Sequence, residues 1–504
     1  MTATAGRTRE LEWNVPCALG TRTLQGDVVV IGGGSAGLTA AQVAAAAGKR
    51  VLLIERDRLG GECLFTGCVP SKTLLSLART VHEARSAEGL GLAVMGEPSW
   101  RAVQTRLRRT VNRFHETDSP RAVERRGVRV LAGETRFVAP RTLELRCGDH
   151  THEVRGRNFV LATGSRTVIP PIEGLDEVPF LTHETVFTLP ERPAHLLIVG
   201  GGPLGCELAQ AFARLGSDVT VVERGERLIE RDEPEASAML RDILGADGVR
   251  VHLNSEVVRV ERAAEGIQVH LSSGGLVCAS HVLLATGKRP RVEDLGLDVI
   301  GAEYDEQGLK VDAAMRSVSC PYLWGAGDVV GGPMFTHGAT ERGTLAGLGS
   351  LGLPGRFLAR IRAPAARVED IPSVTYTDPA IARWGLTERE AVRRHGRRVT
   401  VVEYGAWQLD RALIEGEVGF VKLVALSGFL GTPLGLRVVG AEVVGEYAGE
   451  LIQLLSLPAR LGFHPLKLAL LPAPYPTYAE AVRQTYLGLF TRGHAFGRRR
   501  RGRA

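Results

Sequence analysis

The chain has few of the residues that mark secreted or disulfide-stapled proteins. Its 504 residues include seven cysteines, and aromatic residues make up 5%. Such cysteine usage is typical of a reducing compartment. At roughly 150 residues per domain, the length allows about three domains with their own cores, which excludes a small disulfide scaffold. Hydrophobic residues at 44% and charged residues at 23% indicate a soluble globular protein.

No segment has the pattern of a membrane span or a secretory signal. The longest stretch without a charge, residues 28–48, is long enough to span a membrane. Its glycine cluster GGGSAG instead favours a strand, a turn and a helix. The first 26 residues carry Arg and Glu without an apolar centre, unlike a signal peptide. We therefore predict a cytoplasmic protein.

The excess of positive charge is confined to one end of the chain. The formal net charge is +6, and residues 492–504 contain six arginines and no acidic residue. Because the remainder is neutral, a nucleic-acid-binding fold is not expected. The arginine run predicts a solvated, disordered tail, and weak contact with an anionic surface or a nucleic acid is the alternative.

One pattern occurs twice. Residues 28–37 read VVVIGGGSAG and residues 196–205 read LLIVGGGPLG. Each is an apolar strand that leads into a G-x-G-x-x-G turn and a helix, and a second strand then ends in an acid, Glu55 or Glu223. A single such turn is a weak signal, but two copies with a correctly placed strand, helix and acid predict two dinucleotide-binding units.

The three glycines of each motif have separate roles. The first makes the turn, the second lets the backbone approach the pyrophosphate, and the third lets helix and strand pack closely. They are Gly32, Gly34 and Gly37 in the first motif and Gly200, Gly202 and Gly205 in the second. The phosphates would meet the helix N-terminus, and the acid would accept hydrogen bonds from ribose hydroxyls.

Each of the two predicted dinucleotide-binding units ends in a similar short sequence, LATGS at residues 161–165 and LATGK at residues 284–288. Asp328 follows in YLWGAGDVV, at the end of an apolar strand beside small residues that allow a ligand to come close. After a Pro- and Arg/Ala-rich linker at 352–367, alternating strands and helices indicate a third, mixed domain.

The predicted fold class is therefore α/β, with two Rossmann-like dinucleotide-binding domains, the second inserted in the first, and a C-terminal α+β domain. The predicted boundaries are 1–163 with 289–364, 164–288, 365–491, and 492–504 for the basic tail.

Cys63 and Cys68 lie close together in GGECLFTGCVPSKTLL. Residues five apart on an ideal helix have Cα atoms roughly 8 to 9 Å apart, whereas a disulfide needs about 4.4 to 6.8 Å. The pair could bridge only where the helix is interrupted, which Gly67 and Pro70 permit. A strained, accessible bridge beside a helix start is readily reducible. Two unpaired thiols or half of a zinc site are the alternatives, and no second close cysteine pair supports zinc.

The other five cysteines are scattered, and we predict that they are buried or incidental thiols: Cys17, Cys147, Cys206, Cys278 and Cys320.

Together these motifs resemble the FAD-dependent pyridine nucleotide-disulfide oxidoreductases, the family of glutathione reductase, lipoamide dehydrogenase and mercuric reductase, over nearly all of residues 26–490. The motifs are GGGSAG, GGECLFTGCVPSK, ATG, GGGPLGCE, ATGKRP, GAGDV, IPSVTYTDPAIARWGLTE and YPTYAE. The resemblance implies FAD in the first domain and NAD(P)H in the inserted domain. It also implies a homodimer in which the third domain completes the partner's active site.

The cofactor-binding residues follow from the same resemblance, with FAD at the first motif, NAD(P)H at the second and Asp328 at the ribitol. They are Gly32, Gly34, Ser35, Ala36, Gly37, Glu55, Gly61, Lys72, Ala162, Thr163, Gly164, Gly200, Gly202, Leu204, Gly205, Glu223, Gly287, Gly327 and Asp328. No resident metal site is implied.

The mechanism implied by the resemblance is an electron relay from the nicotinamide through the flavin to a Cys63–Cys68 disulfide. Cys68, nearer the flavin in the family, would take the electrons, and Cys63 would exchange with the substrate. Lys72 and Glu207 match residues that pair beside the flavin and nicotinamide. An ordinary ion pair on a helix face is the alternative for those two residues.

Glu223 favours NADH over NADPH, because its carboxylate would accept from the 2′-hydroxyl and repel a 2′-phosphate. Arg224 and Arg227 follow at once and could instead clasp that phosphate.

The phrase YPTYAE departs from the family's HPT-x-x-E. Tyr475 replaces the His that exchanges a proton with the substrate thiol, and Glu480 is retained. A phenol with an unperturbed pKa of about 10 is a poor base at pH 7, so efficient turnover of glutathione disulfide or dihydrolipoamide is not expected. His337 and His464 are the other candidate proton carriers, and a structural role is the alternative, since a lone His is more often structural.

Tyr475 and the phrase DRA at 410–412 are more similar to mercuric reductase and its relatives, in which soft thiolate ligands hold a metal ion and need no proton shuttle. The sequence has no cysteine after Cys320 to match the C-terminal pair of mercuric reductase, and no N-terminal metal-binding domain is expected. A metal ion or a small disulfide is the expected acceptor, and a quinone is equally open. A dihydrolipoyl dehydrogenase and a flavin-bound subunit without catalytic activity are the alternatives.

Overall fold

The computed structural model describes residues 23–264, 266–362, 371–428, 435–491 and 498–501. These described residues form two compact units. The first contains residues 23–73, 104–168 and 288–362, and the second contains 74–103, 169–287 and the described residues from 371 onward.

The strands are β1 (Leu24–Ile31), β2 (Val51–Glu55), β3 (Val128–Ala132), β4 (Glu134–Ala139), β5 (Thr142–Cys147), β6 (His150–Leu161), β7 (Ser165–Thr167), β8 (Phe180–Leu181), β9 (His195–Val199), β10 (Asp218–Val222), β11 (Arg250–His252), β12 (Val257–Ala263), β13 (Gly266–Leu271), β14 (Leu276–Ala279), β15 (His281–Leu284), β16 (Lys288–Pro290), β17 (Tyr304–Asp305), β18 (Gly308–Leu309), β19 (Leu323–Gly325), β20 (Ser373–Thr375), β21 (Ala380–Gly385), β22 (Val399–Gly405), β23 (Phe420–Leu426), β24 (Arg437–Gly445) and β25 (Arg498–Arg501).

The α-helices are α1 (Ser35–Ala46), α2 (Gly61–Phe65), α3 (Cys68–Ser86), α4 (Trp100–Asp118), α5 (Pro120–Arg125), α6 (Pro203–Arg214), α7 (Pro234–Ala246), α8 (Thr336–Gly349), α9 (Leu353–Arg362), α10 (Glu388–His395), α11 (Asp410–Glu415), α12 (Ala448–Leu461), α13 (Leu466–Ala469) and α14 (Ala479–Gly488).

The first unit is built on a sheet with strand order β3-β2-β1-β6-β5-β4, in which β19 also pairs with β6. Strands β1, β2, β3, β6 and β19 pair with one another in parallel, whereas β5 pairs antiparallel with both β6 and β4. The apolar run Val28–Ile31 is buried almost completely, as expected for a parallel strand covered on both faces. Helices α1 and α8 pack closely because Gly343 has no side chain. A Cβ at this position would lie 2.4 Å from the Ala36 carbonyl oxygen.

The second unit contains a parallel sheet with strand order β11-β10-β9-β15-β8 and an antiparallel sheet β12-β13-β14. Its β9, α6 and β10 repeat the β1, α1 and β2 arrangement of the first unit. Val199 lies opposite Val222 in the second copy, as Ile31 lies opposite Ile54 in the first. The predicted strand, turn and helix are therefore present in both copies.

The C-terminal part of the second unit is an antiparallel sheet with order β20-β21-β24-β23-β22-β25. Helices α12 and α14 cover it, and its core includes Trp384, Tyr404, Ile452 and Tyr486. The α+β class predicted for this part of the chain is confirmed.

Residues 498–501 form β25, in which Arg499 lies opposite Val402 of β22. The prediction of a disordered tail is wrong for these residues. The unpaired N–H and C=O groups of an edge strand accept another backbone whatever its side chains are. The rest of 492–504 and the first 22 residues lie outside the described part of the chain.

A cluster of charged side chains is buried within the second unit. Lys422 is 1% exposed, and its Nζ lies 2.9 Å from Glu233, 3.0 Å from Glu388 and 3.2 Å from Glu235. Beside it, the buried Glu442 carboxylate accepts hydrogen bonds from the Glu233 backbone N–H at 3.0 and 3.2 Å. Burial, together with the charges of Asp232 and Glu233, raises the pKa of Glu442 well above its ordinary value.

Three of the five scattered cysteines follow the prediction. Cys206 and Cys320 are buried free thiols, and Cys278 is an exposed one. Cys147 is disulfide-bonded, so its prediction as an incidental thiol is wrong. Positions scattered in sequence place no limit on distances in the folded chain. Cys17 lies outside the described residues.

None of the helices in the described part of the chain is both long and apolar enough to cross a membrane.

Candidate active site

The first glycine turn has the geometry that its motif predicts. Gly32 has φ +104°, and a Cβ there would lie 2.2 Å from the Ala162 carbonyl oxygen. A Cβ at Gly37 would lie 1.9 Å from the Gly32 oxygen, so strand and helix pack at backbone distance. At Gly34 the nearest atom to such a Cβ is the Gly61 Cα at 3.9 Å, which leaves this glycine open for a phosphate.

Other predicted residues gather around the start of α1. A Cβ at Gly327 would lie 2.9 Å from Ala36 Cβ, and Ser35 is the first residue of the helix. Helix α1 has no acidic residue in its first turn, so its N-terminus favours an anion. Ala162, Thr163 and Gly164 follow β6 beside the turn, and the Thr163 hydroxyl donates to the Arg291 carbonyl at 2.7 Å. This cradle fits a dinucleotide.

The second glycine turn repeats this geometry in the second unit. Gly200 has φ +116°, and a Cβ at Gly205 would lie 2.0 Å from the Gly200 oxygen. No atom lies within 4 Å of a Cβ at Gly202, the residue that precedes α6. Leu204 is half-buried in the first turn of α6, and Gly287 follows β15 with open space on its Cβ side.

The acid after each motif holds its own glycine turn. Glu55 accepts from the backbone N–H of Gly33 at 2.6 Å. Glu223 accepts from Gly201 at 2.6 Å and from Gly225 at 2.7 Å. Sequence reasoning assigned both carboxylates to ribose alone. Their contacts to the turn add a structural role, and their contact with ribose stays a prediction.

The two cysteines lie where the helix is interrupted, as predicted. Helix α2 ends at Phe65 and α3 begins at Cys68. A Cβ at Gly67 would lie 2.9 Å from the Glu62 carbonyl oxygen, so the tight connection requires glycine. Both cysteines are half-buried free thiols, which corresponds to the reduced state of the predicted disulfide.

The two thiols form a hydrogen bond to each other and hydrogen bonds to two hydroxyl groups. The hydrogen bond between Cys63 and Cys68, together with burial, raises the pKa of Cys63, while contacts with Thr336 and Ser35 lower it. Cys68 Sγ lies 3.1 Å from Thr336 Oγ1. Ser35 belongs to the first glycine motif, so the thiol pair adjoins the dinucleotide turn. Thr336 belongs to no motif, and sequence reasoning missed it.

Asp328 lies in the short turn after β19 and accepts a hydrogen bond from the Ser165 hydroxyl at 2.7 Å. Beneath this turn, the buried Arg342 guanidinium donates to the carbonyls of Gly327 at 3.3 Å and Gly331 at 2.8 Å. Sequence reasoning missed both partners. Ser165 directly follows the ATG motif, and this position could have identified it as a site residue. No sequence motif indicates Arg342.

A second missed contact is the ion pair between Lys288 and Glu62, the residue before Cys63. Burial lowers the pKa of Lys288, and the charge of Asp328 opposes that shift. Lys288 follows the second ATG phrase.

Lys72 and Glu207 belong to different units. Lys72 lies one turn after Cys68 in α3, and the buried Glu207 in α6 accepts from the Tyr376 backbone N–H at 2.9 Å. The predicted pairing of Lys72 with Glu207 stays a prediction.

Tyr475 and Glu480 lie at the end of the second unit. Tyr475 is 70% exposed and donates to Asp410 Oδ2 at 2.8 Å, and this bond raises the pKa of the phenol. Glu480, in the first turn of α14, accepts from the Gln484 side chain at 3.3 Å. His464 contacts the Phe490 ring.

In the first unit, His337 stacks on Phe335. Within the described parts of the chain, no three His, Cys, Asp or Glu side chains cluster to hold a metal ion.

The sequence matches the family model of the pyridine nucleotide-disulphide oxidoreductases over residues 26–343 and the model of their dimerisation domain over residues 371–486. The chain therefore belongs to this family of flavoprotein oxidoreductases, which use FAD and a pyridine nucleotide. The glycine turns described above fit both groups.

Similar proteins in the family have several names. The chain is 36% identical over 468 residues to a mercuric reductase of Streptomyces lividans, covering 91% of this chain and 94% of the relative. It is 31% identical over 468 residues to a dihydrolipoyl dehydrogenase of Bacillus subtilis, covering 91% and 98%. A Cu(II) complex of the HOCl-induced flavoprotein disulfide reductase RclA from Escherichia coli matches with a TM-score of 0.80 and 26% identity, covering 92% and 99%.

Proposed function

We propose that the protein is an FAD-dependent NADH oxidoreductase that passes two electrons through Cys63 and Cys68 to a soft metal ion. The observation that carries the proposal is the thiol pair, half-buried and hydrogen-bonded at a helix break beside the first glycine turn. Bound FAD would supply two-electron transfer between a nicotinamide and this pair. We expect Cys68 to be the sulfur that receives the electrons and Cys63 to be the sulfur that meets the acceptor.

The other predicted residues hold the groups in place. The first glycine turn, Asp328 and the residues around the start of α1 would bind FAD. The second glycine turn and Glu223 would bind the coenzyme, and the carboxylate favours NADH. We propose that Lys72 and Glu207 pair beside the flavin and the nicotinamide.

A metal ion is the proposed acceptor because the YPTYAE phrase lacks the imidazole that the family uses with thiol substrates. Tyr475 stands in its place, and the hydrogen bond to Asp410 holds the phenol proton. Two thiolates bind soft ions without a proton shuttle. One NADH supplies two electrons, which reduce one Hg(II) to Hg(0) or two Cu(II) to two Cu(I), and one proton is released. The mercuric reductase relatives and the Cu(II) complex of RclA support this choice.

A small disulfide acceptor, as in a dihydrolipoyl dehydrogenase, is the second candidate. Glu480 is present, and relatives of that name match at similar length. A flavin-bound subunit without catalytic activity is the third.

We propose the boundaries 1–163 with 289–364 for the FAD-binding domain, 164–288 for the NAD(P)-binding domain and 365–491 for the interface domain. The match to the dimerisation domain supports a homodimer. Large apolar side chains exposed in this domain are candidates for its interface: Trp407, Leu413, Ile414, Leu470 and Leu471. The proposed location is the cytoplasm.

The test is an acceptor screen with NADH and NADPH, using Hg(II), Cu(II), lipoamide, glutathione disulfide, quinones and oxygen. We expect a divalent soft metal to give the highest turnover. Cys63→Ser should abolish that turnover and keep the long-wavelength absorbance of a thiolate against the flavin, whereas Cys68→Ser should abolish both.

The control for these variants is Cys278→Ser, which removes an exposed free thiol outside the pair. It should behave as the wild type. Full metal turnover in both Cys63→Ser and Cys68→Ser would defeat the proposal, and a preference for lipoamide would favour the second candidate.

A further inference from the structure

We propose that helix α9 docks the protein on a membrane surface that contains anionic lipids, with its exposed apolar side chains among the lipid headgroups and its arginines at the phosphates. The inference goes beyond the proposed function, because it assigns a surface that neither the thiol pair nor the glycine turns use.

Helix α9 lies in the segment that the sequence predicted to be a linker. Residues 352–367 are rich in Pro, Arg and Ala, yet Leu353–Arg362 form a helix. Pro354 is the second residue of this helix, where a backbone N–H has no partner within the helix, so the proline does not interrupt it. The linker prediction is therefore wrong for residues 353–362.

The side of α9 that packs on α8 is made of small residues. Ala359 belongs to the same buried cluster as Leu345 of α8. A Cβ at Gly355 would lie 2.1 Å from the carbonyl oxygen of Leu348, the last leucine of α8. The helix therefore contacts the first unit through its smallest side chains.

Two arginines hold α9 in this orientation. Arg362 donates to both carboxylate oxygens of Glu341 in α8, at 2.6 and 3.0 Å. The guanidinium of Arg356 lies 5.5 Å from the centre of the buried Trp324 ring. A helix held in this way keeps its opposite face toward solvent.

The opposite face of α9 carries large apolar side chains. Four of them recur at helical spacing and are between 52% and 80% exposed: Leu353, Phe357, Leu358 and Ile361. A helix on the surface of a globular protein normally turns its large apolar side chains toward the core, so α9 has the reverse arrangement. A contiguous apolar patch exposed in this way marks an interaction site.

Positive charge surrounds this apolar face. Helix α9 contains Arg356, Arg360 and Arg362 and no acidic residue. Burial and the charge of Arg316 lower the pKa of Arg356, so a fourth cation lies close by. Glu341 offsets one of these charges, and the excess of positive charge favours an anionic surface.

An anionic lipid surface fits α9 better than a protein does. An interfacial helix buries Phe and Leu among the headgroups, and its Arg or Lys side chains attract anionic lipids. Helix α9 has ten residues and is about 15 Å long, too short to supply the roughly 800 Å² that each partner buries in a stable protein interface. A two-fold contact between copies would place α9 against α9 and bring like charges together.

The test is co-sedimentation of the full-length, FAD-bound protein with lipid vesicles. One set contains phosphatidylcholine and phosphatidylglycerol, and the other contains phosphatidylcholine alone. We expect binding to the anionic vesicles to be on the order of tenfold tighter than binding to the neutral ones. Added salt should weaken it, because salt screens the attraction between the arginines and the lipid phosphates.

The variant Phe357→Ser with Ile361→Ser removes the centre of the apolar face. Both side chains are exposed, so the Tm should stay that of the wild type. Its binding to anionic vesicles should be weaker by about tenfold or more, because less apolar area enters the headgroup layer. Arg360→Gln should reduce the preference for anionic over neutral vesicles.

The matched control is Val299→Ser with Val318→Ser, which changes two exposed apolar side chains of the same unit outside α9. It should bind as the wild type does. All of these variants keep the arginines of residues 492–504, so any contribution of that segment is common to them.

Three results would overturn the inference: no binding to anionic vesicles, equal binding to neutral ones, or unchanged binding of the Phe357→Ser, Ile361→Ser variant. A change in the oligomeric state of that variant, measured by light scattering without lipid, would also overturn it, since α9 would then join copies of the chain. The measurements need neither NADH nor an acceptor, so they are independent of the proposed function.

Discussion

The phenolic hydroxyl of Tyr475 donates a hydrogen bond to Asp410, with 2.8 Å between the two oxygens. The bond raises the pKa of the phenol, so Tyr475 stays protonated at pH 7 and is a poor base there. The contact holds a protonated phenol where the resemblance to the family predicts an imidazole.

Replacing Tyr475 should therefore change the choice of acceptor. Tyr475→Phe should reduce metal-ion turnover only modestly, whereas Tyr475→His should raise dihydrolipoamide turnover because Glu480 is present to orient the imidazole. Steady-state rates with both acceptors measure this, alongside dimer dissociation.

Tyr478→Phe is the control, since Tyr478 also bonds to a carboxylate, that of Glu415, at 2.6 Å. High wild-type dihydrolipoamide turnover that survives Tyr475→Phe would contradict this prediction and the preference for metal.

Glu223 should set the coenzyme preference. Glu223→Ala should lower kcat/KM for NADH by about 10- to 100-fold, the range expected for losing hydrogen bonds to a charged group. The ratio of kcat/KM for NADH to kcat/KM for NADPH should therefore fall. The control is Glu226→Ala, which removes an exposed acid three residues further on. A wild-type enzyme that clearly prefers NADPH would reverse the assignment and indicate that Arg224 or Arg227 binds the 2′-phosphate.

Gly202 should separate coenzyme binding from folding. Its φ of −74° suits alanine, and no atom lies within 4 Å of an added Cβ. Gly202→Ala should therefore keep the wild-type Tm but raise the KM for NADH on the order of tenfold, because the methyl group keeps the pyrophosphate from the backbone.

Gly205→Ala is the control for folding. Its Cβ would lie 2.0 Å from the Gly200 oxygen, so this variant should have a lower Tm than the wild type. An unchanged KM in Gly202→Ala would show that no phosphate approaches this turn.

Glu442 should make stability depend on pH. Its folded pKa is raised, so its favourable contribution is present below the unfolded pKa of about 4.3 and is lost as the pH rises through the folded pKa. Glu442→Gln keeps an acceptor for the Glu233 N–H but cannot ionise. Near pH 4 the variant and the wild type should have the same free energy of unfolding. At pH 8 the free energy of unfolding of the variant should be higher, by about 1.4 kcal/mol for each unit by which folding raises the pKa of Glu442.

Urea unfolding at both pH values tests this prediction. The control is Glu450→Gln, which changes an exposed acid of α12. The same difference from wild type at pH 4 and pH 8 would show that Glu442 does not carry the effect.

The features predicted correctly from sequence are those that depend on short stretches of chain. The positive φ of Gly32 and the close approach of Gly37 to the Gly32 oxygen depend on backbone sterics within a few residues, so the spacing of the motif already determined them. The interruption between Cys63 and Cys68 follows from Gly67 in the same way. The disordered tail was predicted wrongly because a charge run does not reveal that the edge strand β22 lies within reach.

The sequence by itself determined the family, the two dinucleotide turns and the identity of the thiol pair. Only the tertiary structure brought Thr336 to Cys68 and Ser165 to Asp328, across 268 and 163 residues. It also buried Lys422 among carboxylates from distant segments. Thr336 and Lys422 carry no local signal, because their partners depend on how strands and helices pack and not on neighbours along the chain.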